Sequence, residues 1–294
     1  MKGYTGILGA SLVTNDIETG IVEPGDLWFE GPHIRYAGPR GGFAPPEDGQ
    51  VHRIDGRDKV VMPGLVNAHM HSYAGLLKGT VDTTPLDVFM ISAIVGAGER
   101  SPRDVYISAL VGCLEMLKTG STACLDHFSH RPRHDPNALD SALRAYADAG
   151  VRVALAPMFS DLPFIDTIPM PPDGMPADLR AELAGPIAAS EPYFEMMAGA
   201  LKTWRGHPHV SLMLGVDGPQ RCSHKLLKAA GQFCADHGIG NHTHLLEART
   251  QAAMAADRHG VGFVAYLDEL GLIDERSSLA HFIWCTDRDI ERAA

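Results

Sequence analysis

The chain has no Cys-x-x-Cys pair, and its five cysteines (Cys113, Cys124, Cys222, Cys234 and Cys285) are scattered and odd in number. That excludes a zinc-ribbon site and fits a reducing cytoplasm. No run of about 18 apolar residues occurs, so no transmembrane helix is expected. The start, Met1-Lys2-Gly3-Tyr4-Thr5, lacks the apolar stretch of a signal peptide. No Lys/Arg-rich run is present, and a net charge of -11 argues against a nucleic-acid surface. Also missing are a Gly-rich phosphate loop and a Gly-x-Ser-x-Gly nucleophile elbow. The His-x-Glu and later Pro-Cys-x-x-Cys of one zinc-enzyme design are absent too. The expectation is a cytoplasmic protein with neither a nucleic-acid nor a membrane partner.

Two patterns divide what is present. Residues 1–60 read as short strands (11–14, 26–30, 33–37) broken by Gly, Pro and Asp, a small β domain. After residue 60 the pattern becomes strand, loop, helix, repeated. Strands are predicted at 60–67, 122–127, 152–158, 210–216, 239–244 and 278–282. Ser101-Pro102-Arg103-Asp104 supplies an N-cap, a proline at N1 and an acid in the first turn of the first long helix, and Gly120 stops it. Asp135-Pro136 and Ser223 open two more. Alternating strands and helices imply a parallel sheet covered by helices. An eight-stranded (β/α) barrel needs about 250 residues, and 234 follow residue 60. Residues 61–294 are therefore expected to form an incomplete TIM-type barrel of about six strand-helix units, cut before its last two strands. Residues 162–186, rich in Pro and Asp, are expected to form a long loop near the active face.

The chemistry lies at the strand ends. Val60-Val61-Met62-Pro63-Gly64-Leu65-Val66-Asn67-Ala68-His69-Met70-His71 is an apolar run that closes on two histidines one residue apart. Residues i and i+2 of a strand share a face, so His69 and His71 aim two imidazoles at one point. A second strand end, His242-Thr243-His244-Leu245-Leu246-Glu247, offers His244 to complete a metal triad and Glu247 to sit beside the water. His242 reads as a packed interior histidine. His281 and His127 close two further strands, so four of the six strands end in histidine. Histidines converging on the C-terminal face of a barrel suit Zn²⁺ or Fe²⁺ with an open position for water.

These blocks, with Gly25-Asp26-Leu27-Trp28-Phe29-Glu30, Gly120-Ser121-Thr122, Pro219-Gln220-Arg221-Cys222-Ser223 and Ala280-His281, fall in the order seen in the amidohydrolase superfamily. The chain resembles its branch of aminohydrolases and chlorohydrolases over essentially its whole length. The resemblance implies a (β/α)8 barrel beside a sandwich-like β domain, of which residues 1–60 would form half. It implies one divalent metal, Zn²⁺ first and Fe²⁺ as the alternative, held by His69, His71 and His244. Glu247 takes the place of the proton-shuttling acid. His281 takes that of the histidine that orients water or polarises substrate. The last family ligand, an Asp after the eighth strand, is expected beyond Ala294. A homodimer and a small-molecule substrate, a heterocyclic amine, are further implications. Bound by neutral imidazoles, such a metal activates water near neutral pH.

Three other outcomes stay open at this level. A chlorohydrolase or an amide-hydrolysing relative would use the same scaffold, and a chain without the last ligand would be an inactive fragment. Two departures bear on substrate. Asp217 stands where adenosine-type deaminases carry a histidine, and Glu99, in Ile94-Val95-Gly96-Ala97-Gly98-Glu99, aligns with their ribose-binding acid only after a shift. These favour a free heterocycle at least as much as a nucleoside. Asp217 and His127 are the substrate-contact candidates, with His130 and His134 as further pocket histidines. Phe89, Met90 and Met158 are expected to pack rather than line the site.

Overall fold

The computed structural model describes residues 3–79, 83–86, 88–90, 99–130, 134–167, 174–184 and 190–294. The chain divides into two compact units, Met1–Leu65 and Val66–Ala294.

The first unit is one mixed sheet. Its strands are β1 (Gly3–Val13), β2 (Ile21–Glu30), β3 (His33–Pro39), β4 (Gln50–Asp55) and β5 (Val60–Val61), in the order β3-β2-β1-β4, with β5 also on β1. β1 runs antiparallel to β2 and parallel to β4 and β5. Tyr4, Ala10, Leu12 and Trp28 are its buried apolar side chains. Asp26 is buried among them, and its carboxylate accepts from the main-chain N–H groups of Gly9 and Gly41 at 2.8 Å each, which ties the bulge of β1 and the loop after β3 together.

The predicted strand 60–67 splits in two. Pro63 has no N–H for a ladder, so β5 ends at Val61 and β6 (Leu65–Met70) begins the second unit's sheet. Then come α1 (Pro102–Lys118), β7 (Ser121–Phe128), α2 (Pro136–Ala149) and β8 (Arg152–Phe159). α3 (Ala177–Ala184), α4 (Ser190–Thr203), β9 (Val210–Leu212) and β10 (Leu214–Val216) follow. The unit closes with α5 (His224–His237), β11 (Asn241–Leu245), α6 (Arg249–His259), α7 (Phe263–Glu269), β12 (Ser278–His281) and α8 (Asp287–Ala293). The predicted strand 210–216 is thus two short strands, interrupted at Met213. The predicted loop 162–186 holds a 3-10 turn at Phe164–Thr167 and the helix α3. Its residues 168–173, 185 and 186 lie outside the described residues, as do 94–98 of the segment compared with the ribose-binding acid.

The helix starts follow the sequence signals. Ser101 accepts from the Asp104 N–H, and the Asp104 carboxylate accepts in return from the Ser101 N–H at 3.0 Å. Ser223 caps α5 in the same way through the Leu226 N–H. α2 and α5 stop at Gly150 and Gly238, both left-handed.

The sheet runs β12-β11-β10-β8-β7-β6, with β9 on β8. β7 through β12 pair in parallel. β6 and β12 are the two ends of this order, yet the His69 and His281 rings lie 4.9 Å apart. The sheet therefore curls so that side chains from the tips of its two end strands converge, which is the barrel architecture expected. The core lies between strands and helices, built on Leu139, Leu143, Tyr146, Leu155, Leu214 and Leu227. No helix among the described residues is long and apolar enough to cross a membrane.

Candidate metal centre

His71 follows β6 directly and caps the 3-10 turn Ser72–Leu77. Asp126 on β7 pins that turn. Its carboxylate accepts from the Ser72 N–H at 2.9 Å, from Ser72 Oγ at 2.5 Å and from Tyr146 Oη at 3.0 Å. Full burial pushes the Asp126 carboxyl up to about 6, and these donors work against the rise. The neighbouring residue, His127, offers its carbonyl to His71 Nδ1 at 2.7 Å. Across the barrel, His244 on β11 donates Nδ1–H to the Asp217 carbonyl at 2.5 Å. Both Nδ1 atoms are committed to main-chain acceptors, so each ring presents a bare Nε2.

Those two Nε2 atoms face each other at 3.2 Å. Two lone pairs at that separation repel unless a proton or a cation lies between them. Tetrahedral zinc, with Zn–N of about 2.0–2.1 Å, sets its nitrogen ligands roughly 3.3 Å apart. His69 Nε2 is buried with no hydrogen-bond partner. One nitrogen from each of His69, His71 and His244 lies within 4.8 Å of the others. The donor set and its spacing fit a divalent metal.

Burial and the mutual repulsion of neighbouring rings favour the neutral form of His69, His71, His127 and His242. Burial comes first and the other histidines second for His69, which falls to about 2. The same causes bring His71 to about 4 and His242 to about 3 and hold His127 well below its ordinary value. Burial also lowers His281, opposed by Glu247. Neutral imidazoles are the ligating form. A stability consequence follows. An unfolded histidine takes up a proton near pH 6.5 and these folded ones do not, so the unfolded chain gains protons as pH falls below about 6.5. Metal-free protein will lose melting temperature steadily from pH 6.5 to pH 4 and change little between pH 7 and 8. Asp126, raised in the fold, gives the opposite slope below pH 6, one carboxyl against five rings. A melting temperature that stays level between pH 6.5 and 4 in the presence of chelator would contradict the buried neutral cluster.

Glu247 lies just past β11, with its main-chain N–H donating to Gln251 Oε1 at 2.8 Å. Gln251 in turn donates to Gln220 Oε1 at 2.7 Å, so α6 and the β10–α5 loop fix the glutamate together. Glu247 Oε2 stands 3.3 Å from His281 Nε2. Leu246, His281 and Phe282 hold positive φ, at 53°, 71° and 48°. Such backbone is costly for residues with side chains and gathers at functional sites. His69, His71, His244, Glu247 and His281 all border one cavity of about 320 Å³.

The sequence profile of the Amidohydrolase family matches residues 60–294. The chain belongs to this family. Among curated relatives, a 5'-deoxyadenosine deaminase of Methanothermobacter thermautotrophicus is 30% identical over 81% of this chain and 49% of its own length. A 5-methylthioadenosine/S-adenosylhomocysteine deaminase of Nitratidesulfovibrio vulgaris is 28% identical over 97% of this chain and 58% of its own. The chain thus spans about half to three-fifths of the length of these relatives. Among solved structures, a zinc complex of atrazine chlorohydrolase from Arthrobacter aurescens TC1 superposes with a TM-score of 0.79 at 21% identity, over 98% of this chain and 63% of that one. A zinc-bound adenosine deaminase from Xanthomonas campestris gives 0.75 at 21% identity, over 98% and 60%. These similarities establish the TIM-type fold.

In this amidohydrolase the five metal and catalytic candidates come together. The two substrate-contact candidates are placed differently. Asp217 reaches the cavity wall at 1% exposure, but its carboxylate already accepts from Arg221 Nη1 at 2.9 Å. His127 is fully buried between its neighbours, 4.5 Å from the His244 ring, and does not border this cavity. His130 lines the cavity, whereas His134 packs on Tyr193 at 5.0 Å. Phe89, Met90 and Met158, expected only to pack, form part of the cavity's apolar wall. Sequence reading gave Asp126 and Gln251 no role, and it quoted Gln220 and Arg221 only as part of a family block. Gln251 stands four residues after Glu247, a local signal.

Proposed function

We propose that the protein is a metal-dependent hydrolase of C–N bonds other than peptide bonds, releasing ammonia from an amino-substituted heterocycle. The observation that carries this reading is the pair of bare Nε2 atoms on His71 and His244, facing each other 3.2 Å apart on the rim that Glu247 and His281 share. Zn²⁺ is the ion the all-nitrogen donor set favours, and Fe²⁺ is the alternative. A metal held by His69, His71 and His244 would lower the pKa of a bound water toward neutrality.

The chain's own residues supply the rest. Glu247 can take one proton from the attacking water at Oε2 and pass it to a ring nitrogen, then carry the second, from the new hydroxyl, to the amine, which leaves as ammonia. His281 Nε2, 3.3 Å away, can steady that carboxylate or turn its one N–H to the substrate. Leu86, Phe89, Met90 and Met158 form an apolar wall able to receive a flat ring. Adenosine-type relatives make nucleosides the first substrates to try, and Asp217 keeps free purines, pterins and triazines in the same screen. The protein loaded with Zn²⁺ or Fe²⁺ should release ammonia from at least one member of that set. Chloride release from a chlorotriazine without ammonia would move the assignment to dehalogenation. Absence of stoichiometric metal after loading would end the reading.

A further inference from the structure

We propose that His242 orients His69 for metal binding, so that one ligand ring is held by a side chain and the other two by main chain. This rests on the metal-site reading above. His69 Nδ1 lies 2.9 Å from His242 Nε2. The other nitrogen, His69 Nε2, has no partner. If Nε2 is to give its lone pair to a metal, the ring proton must sit on Nδ1 and point at His242 Nε2. His242 Nε2 must then be the acceptor, with the His242 proton on Nδ1. His242 Nδ1, where that proton would sit, is buried without a hydrogen-bond partner.

The strand period explains how this arises. His242 and His244 are two apart on β11, so they share the face that looks into the barrel, one layer apart. The upper ring reaches the metal position. The lower ring, fully buried, reaches across to His69 on β6. The two His-x-His pairs of the site thus divide the labour differently. The β6 pair gives two ligands, and the β11 pair gives one ligand and one acceptor. His71 and His244 need no such helper, because the carbonyls of His127 and Asp217 already fix their tautomers.

The test is zinc affinity by chelator competition for His242→Phe, His242→Gln and His71→Ala, with ring ¹⁵N shifts of His69 in the unsubstituted protein. His242→Phe fills the space without an acceptor and should weaken zinc binding roughly 10- to 100-fold. His242→Gln keeps an acceptor oxygen and should recover most of that loss. The NMR should show His69 protonated at Nδ1. The proposal is overturned if His242→Phe binds zinc like the parent while His71→Ala does not. Equal losses in the Phe and Gln variants overturn it as well. If His71→Ala also keeps full affinity, the metal site itself is misassigned. Should His242→Phe fail to fold, the Gln variant and the His69 tautomer decide, and a proton on His69 Nε2 refutes the proposal.

Discussion

Glu247→Gln will bind zinc as the parent does and lose roughly 10²- to 10⁴-fold in kcat, the scale of a positioned acid-base group. Glutamine keeps the size and the polar contacts of glutamate, and the main-chain tether to Gln251 does not depend on the side chain. It cannot take up a proton and hand it on. The three histidines of the metal position are untouched, so metal stoichiometry should hold near one and KM should move only a few-fold. Steady-state ammonia release on whichever substrate the screen identifies, with metal analysis of the same sample, checks both halves. A Gln variant within tenfold of the parent would remove Glu247 from the proton path. A variant that also loses its metal would place Glu247 among the ligands instead.

Glu247, like the histidines around it, was legible because strand ends are. A parallel α/β sheet keeps sequential order, alternates side chains with period two and gathers its C-terminal tips on one face. A histidine just before a helix signal therefore has few places to go. His69, His71, His244 and His281 all follow that rule. The groups that hold them do not. Asp126 meets Ser72 across 54 residues and Gln251 meets Gln220 across 31. No local pattern marks a pairing that the curl of the sheet creates. Asp217 shows how such pairing changes a role. Read alone, it is an acid at a strand end, open to substrate. In the fold its carboxylate faces Arg221 and its carbonyl holds His244. Secondary structure failed in the same way. α6 has no clear apolar stripe, so nothing in its periodicity announced a helix. β5 and β6 read as one strand because apolar character runs through Pro63 while hydrogen bonding does not.

His244→Ala should abolish zinc binding, and paired with His281→Ala it locates the ion. Two histidine groupings share His244: one with His69 and His71, the other with Glu247 and His281. The facing lone pairs of His71 and His244 favour the first. A folded protein with a ligand in thousandfold excess over Kd gains about 4 kcal/mol, which shows as a higher melting temperature. The parent should display that rise with added zinc, and His244→Ala should not. The apo variant should also melt lower, because the buried Asp217 carbonyl loses its donor at a cost of about 1–3 kcal/mol. His281→Ala should keep the zinc-dependent rise, since its ring pairs with Glu247 rather than with the triad. If His281→Ala loses the rise and His71→Ala keeps it, the ion sits against Glu247. The glutamate would then be a ligand, and some other group would have to carry the proton.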